Sequence, residues 1–490
     1  MRYRDHARRA ALAVALVSLT AWPADRLAAQ VATAPTLGAP PTLHLPRTQT
    51  ATLANGLKLY VVPMHEVPLV QVLLRTRGGG REDQRRPGLA SFTANMLDEG
   101  ADTLDAFGIA AQAEYLGAQL STGADWDHMF VSLKAPKRNL APALALMGAV
   151  ALRPTFRASE IARQRDLRLA GILQQRDQPA AVASLAFNAL VFPAGHPYHA
   201  PLGGDSAATA ALDSAMVRDF YRREFVPAGA DLIVTGDITL AEARALAQRY
   251  LGAWTARAVE KGRGQSAAAD TTAPVRPTTV YLVDKPGAAQ SVIMIGAPGV
   301  ERTTPDYAAI EVMNTILGGS FSSRLNQTLR ETKGYTYGAG SGFAWRPLPG
   351  PFLARAAVRT DVTDSSLVEF FRELRGIRDS LVAPGELERA KNYLALGLGG
   401  DFETTSQMAV RLADLVDFDL PLNYYDSYVQ RILAVTREDV QRVAQRYVRP
   451  DQVSVVVVGD VAKIRPGIEA LKLGPVSLRD MQGNEVKATP

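Results

Sequence analysis

A chain of 490 residues is too long for one hydrophobic core, so two or more domains are expected. Its 47% hydrophobic and 21% charged residues describe a folded globular protein, and the absence of cysteine excludes disulfides, thiolate metal sites, cysteine nucleophiles and a lipidated cysteine anchor. The net charge of +5 is no sign of nucleic-acid binding, because residues 1–29 hold five Arg and two Asp and the remainder carries only +2.

Residues 1–29 have the layout of a secretory signal peptide. Arg2, Arg4, Arg8 and Arg9 precede an uncharged apolar run from Ala10 to Trp22, too short to span a bilayer, and "RLAAQ" offers small residues for cleavage after Ala29. No later stretch has 18 uncharged apolar residues, so no transmembrane segment is expected and a bacterial periplasmic location fits best. Residues 30–47, rich in Pro and small side chains, read as an extended arm.

A first domain is expected over 48–255. It opens with strand, turn and strand in "GLKLYVVPMHEVPLVQVLLRTRGGG", and a helix starts in "GLASFTANMLDEG". Ser91, Ala94 and Asn95 stand at i, i+3 and i+4 and share one face of that helix. Two of them can hydrogen-bond; none holds a metal well or moves a proton near neutral pH. The domain closes with "FYRREFVPAGADLIVTGDI", a helix broken by Pro227 and a buried strand running into Gly236-Asp237.

Residues 256–277 lose apolar periodicity, gain Gly, Ser, Ala and Pro, and read as a linker. A second domain over 278–472 repeats the first. "TVYLVDKPGAAQSVIMIGAPGV" restates the opening hairpin and "VAQRYVRPDQVSVVVVGDV" the closing strand, with Pro450 and Gly459-Asp460 offset by 223 residues from their counterparts. Residues 473–490 are left as a tail.

Few residues offer chemistry. The six His are His6, His44, His65, His128, His196 and His199, and no H-E-x-x-H, H-x-x-E-H or G-x-S-x-G occurs. His196 and His199 are near each other in "AGHPYHAP", but Pro197 argues against a helical zinc pair. "GAGSGF" lacks the helix and acidic residue of a dinucleotide fold and reads as an edge strand.

The richest segment is "LGGSFSSRLNQTLRETKGYTYGAGSGF", Leu317–Phe343. It resembles the second-domain signature of the pitrilysin/insulinase superfamily of zinc peptidases, which includes the mitochondrial processing peptidases. Arg330 and Tyr337, in "LRETKGYTY", match that signature's spacing, and "RGGGREDQRRPGLASF", "FPAGHPYHAPLGGD" and "LVDKPGAAQSVIMIGAPG" extend the resemblance over about residues 50–462.

The resemblance implies an α+β fold of two homologous domains, each a mainly antiparallel sheet with helices packed on one face. Active members carry H-x-x-E-H in the first domain and a further Glu downstream. Here the frame "GLASFTANML" puts Ser91, Ala94 and Asn95 at those positions, and Ala170 or Gly171 at the downstream Glu. A hydroxyl, a methyl and an amide do not replace imidazoles and a carboxylate on zinc, so this chain is expected to bind no zinc. Arg330 and Tyr337 would instead contact substrate carbonyl oxygen and the developing oxyanion. Two expectations follow. In one, the chain is the non-catalytic subunit of a heteromeric peptidase, and a homologous H-x-x-E-H chain supplies the zinc for cleaving an unfolded peptide. In the other, it is a degenerate scaffold or peptide-binding protein.

Overall fold

Alternating side chains along Leu69–Arg77 set the two faces of the first sheet. Val70, Val72 and Leu74 join the core of the first half, while Gln71, Leu73 and Arg75 point to the other side, as a two-residue period requires. The structure, a computed structural model, describes Gly38 and residues 44–83, 86–255 and 276–486. The expected signal peptide, most of the arm and nearly all of the linker lie outside the described residues.

Six strands form the first sheet: β1 (Gln49–Thr52), β2 (Lys58–Pro63), β3 (Leu69–Arg77), β4 (Gln119–Ala124), β5 (His128–Pro136) and β6 (Asp231–Gly236), in the order β1-β2-β6-β3-β5-β4. Only β2 and β6 run parallel. The second sheet takes β7 (Thr279–Asp284), β8 (Gln290–Pro298), β9 (Thr336–Phe343), β10 (Pro351–Arg359), β11 (Ser454–Gly459) and β12 (Val476–Arg479), in the order β9-β10-β8-β11-β7-β12. There β7 runs parallel to both β11 and β12, and the other pairs are antiparallel.

The repeat therefore has a structural meaning. In each half the late strand, β6 or β11, inserts between the two strands of the early hairpin, parallel to one and antiparallel to the other. The glycine that ends it lies hard against the hairpin: a Cβ on Gly236 (φ +132°) would come within 2.9 Å of Val70 Cα, and one on Gly459 within 2.6 Å of Ser291 Oγ. The presumed tail differs from expectation. Val476–Arg479 forms β12 beside β7, because Leu478 packs against the second core and its backbone pairs along the open edge of β7.

Helices α1 (Leu89–Asn95), α2 (Leu140–Leu152), α3 (Ala158–Gln175), α4 (Pro179–Val191) and α5 (Ser214–Glu224) belong to the first half. In the second half, α6 (Tyr307–Asn314), α7 (Thr363–Asp379), α8 (Thr405–Asp417) and α9 (Arg437–Tyr447) are the ones used below. Leu89, Phe92, Leu144, Met147, Val217 and Phe220 of α1, α2 and α5 bury the inner face of the first sheet. Ile310, Met313, Phe370, Leu374, Val440 and Val443 of α6, α7 and α9 do the same for the second.

Each sheet also carries a helix from the opposite half on its other face. Val182, Ala186 and Phe187 of α4 pack on Tyr281, Val292, Met294, Val456 and Val458 of the second sheet. Met408, Ala409 and Leu412 of α8 share a core with Val62 and Ile233 of the first. Polar seams fix this exchange: Thr235 Oγ1 donates to Thr405 O (2.6 Å) and Ser406 Oγ to Gln71 Oε1 (3.0 Å). Among the described residues no helix is long and apolar enough to cross a membrane.

Candidate functional site

Helix α1 starts abruptly because its first turn is clamped from two sides. Gly88 adopts φ +89°, and a Cβ there would lie 2.7 Å from Gly203 O and Gly204 N, so the loop 201–204 packs directly on the helix start. Asp83 clamps the other side, accepting from Gly88 N (2.7 Å) and Ala90 N (2.6 Å). Burial pushes the Asp83 carboxyl up to about 7; the two N–H donors and the nearby Arg168 guanidinium pull the other way and only partly offset it.

The three diagnostic residues separate by one turn of helix. Ser91 is buried, and its hydroxyl donates to Leu202 O (2.8 Å), with Gly88 O at 3.1 Å. Asn95 is exposed at the mouth of the cavity. Ala94 is fully buried in the first-half core and does not line the cavity. Of the two downstream alternatives, Ala170 is exposed and off the lining, whereas Gly171 is on it. On α3, Gln164, Arg168, Gly171 and Gln175 recur at helical spacing, so one stripe of the helix faces α1.

Arg168 engages the oxygens that this geometry brings together. Its Nη1 donates to Ser91 Oγ (3.0 Å), Gly88 O (3.1 Å) and Gly203 O (3.4 Å). The Asn95 amide satisfies both its ends in one orientation only, with Nδ2 donating to Ser91 O (3.2 Å) and Oδ1 accepting from Arg168 Nη2 (3.1 Å). The guanidinium carbon lies 4.9 Å from the centre of the Phe92 ring. Burial pushes the Arg168 pKa down to about 10, with Asp83 acting against it, so the side chain stays charged at neutral pH. The surrounding cavity, about 570 Å³, is lined also by Gly123, Leu167, Ile172 and Pro201 and, among the described residues, by no acidic side chain. Hydroxyl, amide and carbonyl oxygens arranged around a guanidinium do not fit zinc, which takes imidazole, carboxylate or thiolate donors. Among the described residues no three His, Cys, Asp or Glu side chains converge on one point.

Arg330 and Tyr337 lie in the second half, outside this cavity. Arg330 sits in a widened helical turn, Gln327–Thr332, where Lys333 N bonds to Thr328 O, five residues back (3.0 Å). Its guanidinium stacks over exposed Phe321, 4.7 Å from the ring centre, and Nε lies 3.3 Å from Glu331. Tyr337 is 91% exposed on β9, the edge strand of its sheet. Of the histidines, His196 is buried and stacks on Phe192 at 4.5 Å, its Nδ1 accepting from Tyr198 N (3.0 Å); His199 Nδ1 bonds to Phe192 O (2.9 Å). Both serve the loop that carries Leu202 and Gly203.

Residues 64–194 match the family described as insulinase (peptidase family M16), and residues 211–394 match the peptidase M16 inactive domain. The chain belongs to the peptidase M16 family. An "Uncharacterized zinc protease" of Mycobacterium leprae is 25% identical over 287 residues, which span 58% of this chain and 63% of that protein's length. The "Non-peptidase homolog YmxG" of Helicobacter pylori is 21% identical over 407 residues, 81% of this chain and 91% of that one. A crystal structure of a peptidase M16 inactive domain from Pseudomonas fluorescens superposes with a TM-score of 0.76 at 28% identity, covering 84% of this chain and 98% of that one. The M16 fold of two sheet-bearing halves is thus the fold observed.

Within the M16 frame, the residue that sequence reasoning missed is Arg168. It stands three positions before Gly171, on the same face of α3, and the stripe Gln164, Arg168, Gly171, Gln175 was the available signal.

Proposed function

We propose that this M16 chain is the non-catalytic subunit of a heteromeric zinc metallopeptidase, and that Arg330 and Tyr337 reach the peptide held at a partner's H-x-x-E-H site. The observation that carries this reading is the exposure of Tyr337. A tyrosine that served its own fold would pack inward and give its hydroxyl a partner inside the chain; this one stands in solvent on an unpaired sheet edge. Arg330 is held by stacking over Phe321 and keeps donors free for a carbonyl. The zinc and the general base would come from the partner; this chain supplies two hydrogen-bond donors and an edge against which an extended peptide can pair.

The M16 scaffold reading keeps one supporting observation: the polar groups of α1 beside the cavity are engaged by the chain's own Arg168, as a purely structural half would allow. Co-expression with a homologous H-x-x-E-H chain separates the two. Arg330→Ala and Tyr337→Phe are each expected to lower the turnover of the complex by on the order of 10²–10³-fold without dissociating it; unchanged turnover would leave only the scaffold. Export to the periplasm belongs to the same proposal, and the mature protein is expected to begin at Gln30.

A further inference from the structure

We infer that Arg168 is a built-in substitute for the metal: a side-chain cation that occupies the oxygen cage beside α1 and keeps an ion out, whatever ligands surround it. The cage is drawn from two separate segments, helix α1 and the loop 201–204. Gly88 O and Ser91 Oγ come from the start of α1, Asn95 Oδ1 from its end, and Gly203 O from the loop 201–204. These segments are distant in sequence, and the guanidinium ties them together as a metal ion would, with a planar fork of donors in place of coordination bonds. The Phe92 ring beneath it adds a face that attracts a cation. Asp83 anchors the helix start through its two backbone bonds and lies close enough to favour the charged form of Arg168.

Two consequences distinguish this from a simple loss of ligands. First, a divalent ion entering the cavity meets a fixed positive charge with no acidic side chain among the described lining residues to offset it. Restoring ligands is then not enough. Second, the two segments need a cation for their own order, so removing Arg168 leaves a site that a small free guanidinium can enter. Both hold whether or not the chain works with a partner.

The test uses the mature full-length chain. Ser91→His, Asn95→His and Gly171→Glu together restore three zinc ligands without disturbing buried Ala94, and Gly171 has open space for a side chain. With Arg168 in place, this triple variant is expected to retain no stoichiometric zinc after dialysis; adding Arg168→Ala is expected to give about one zinc per chain and at least ~100-fold tighter binding, since each step of ten corresponds to about 1.4 kcal/mol. One tightly held zinc in the triple variant with Arg168 intact overturns the inference. Where neither variant takes zinc, a second measurement decides. Arg168→Ala in the otherwise native chain is expected to melt at a lower temperature than the parent, and millimolar methylguanidinium to raise the melting temperature of the variant but not of the parent. A variant as stable as the parent, or one indifferent to methylguanidinium, overturns the inference.

Discussion

Asp417, the last residue of α8 in the second half, closes to 2.7 Å on Nη1 of Arg75 in the first half's sheet. The Arg75 side chain is only 6% exposed, and its other acidic neighbour, Asp231, lies farther away at 3.7 Å. His128 Nε2 sits 3.2 Å from the same Asp417 carboxylate. Removing Asp417 therefore strands a buried guanidinium. Asp417→Ala is expected to cost about 3–5 kcal/mol, read as a shift in the urea midpoint, and Asp417→Asn less because an acceptor oxygen remains. A variant with the parent's midpoint would show that Arg75 is satisfied by Asp231 alone.

Phe187 makes the reciprocal contact. It reaches from α4 of the first half onto β8 of the second, where a Cβ on Gly296 would come within 2.7 Å of its ring. Phe187→Ala is expected to destabilise the chain by about 3–5 kcal/mol through the cavity it leaves. Protease cuts in residues 256–277 should then release fragments that the parent, similarly nicked, keeps together.

On the proposed reading, Phe321 positions Arg330 rather than touching substrate itself. A guanidinium over an exposed ring is worth about 0.5–1 kcal/mol, so Phe321→Ala is expected to raise the KM of the reconstituted peptidase by about 2–5-fold and leave kcat nearly unchanged. An equal loss in kcat would place the ring in the transition-state contact instead.

Asp83 gives the chain a pH signature. Its folded-state pKa, about 7, is above the ordinary value of 3.8, so between these limits the folded chain holds a proton that the unfolded chain has lost. The Asp83 contribution is therefore fully present below pH 4 and declines as pH rises towards 7, by on the order of 2–4 kcal/mol. Asp83→Asn offers one oxygen to two N–H groups and is destabilising at every pH. The gap between parent and variant in denaturation midpoint should narrow from pH 4.5 to 7.5. A gap that widens with pH would mean that the two N–H bonds, not burial, set this carboxyl's affinity for its proton.

Much of this architecture was legible in the sequence, and the failures have a common cause. The Pro and Gly-Asp repeat announced a buried strand ending in Gly-Asp in each half, and at Gly236 the backbone of the hairpin comes so close that only glycine tolerates it. Ser91 and Asn95 could be placed on one helix face from spacing alone. Ala94 could not be assigned to the core that way, since one turn of helix separates cavity from interior. Arg168 escaped because a search for ligands looks for imidazoles and carboxylates, and a cation is the group such a site would be expected to exclude. The exchange of α4 and α8 also left no local sign. An apolar helix face such as "PAAVASLAFNALV" declares that it must be covered and is silent about which sheet covers it.

The exchange has a mechanical outcome. With α4 seated on one sheet and α8 on the other, a swing of either half would lift two apolar faces into water at once and break Arg75 from Asp417. Among the described residues the two halves meet without a free joint along their midline, so on the proposed reading the gap that admits a peptide opens at the boundary with the partner chain.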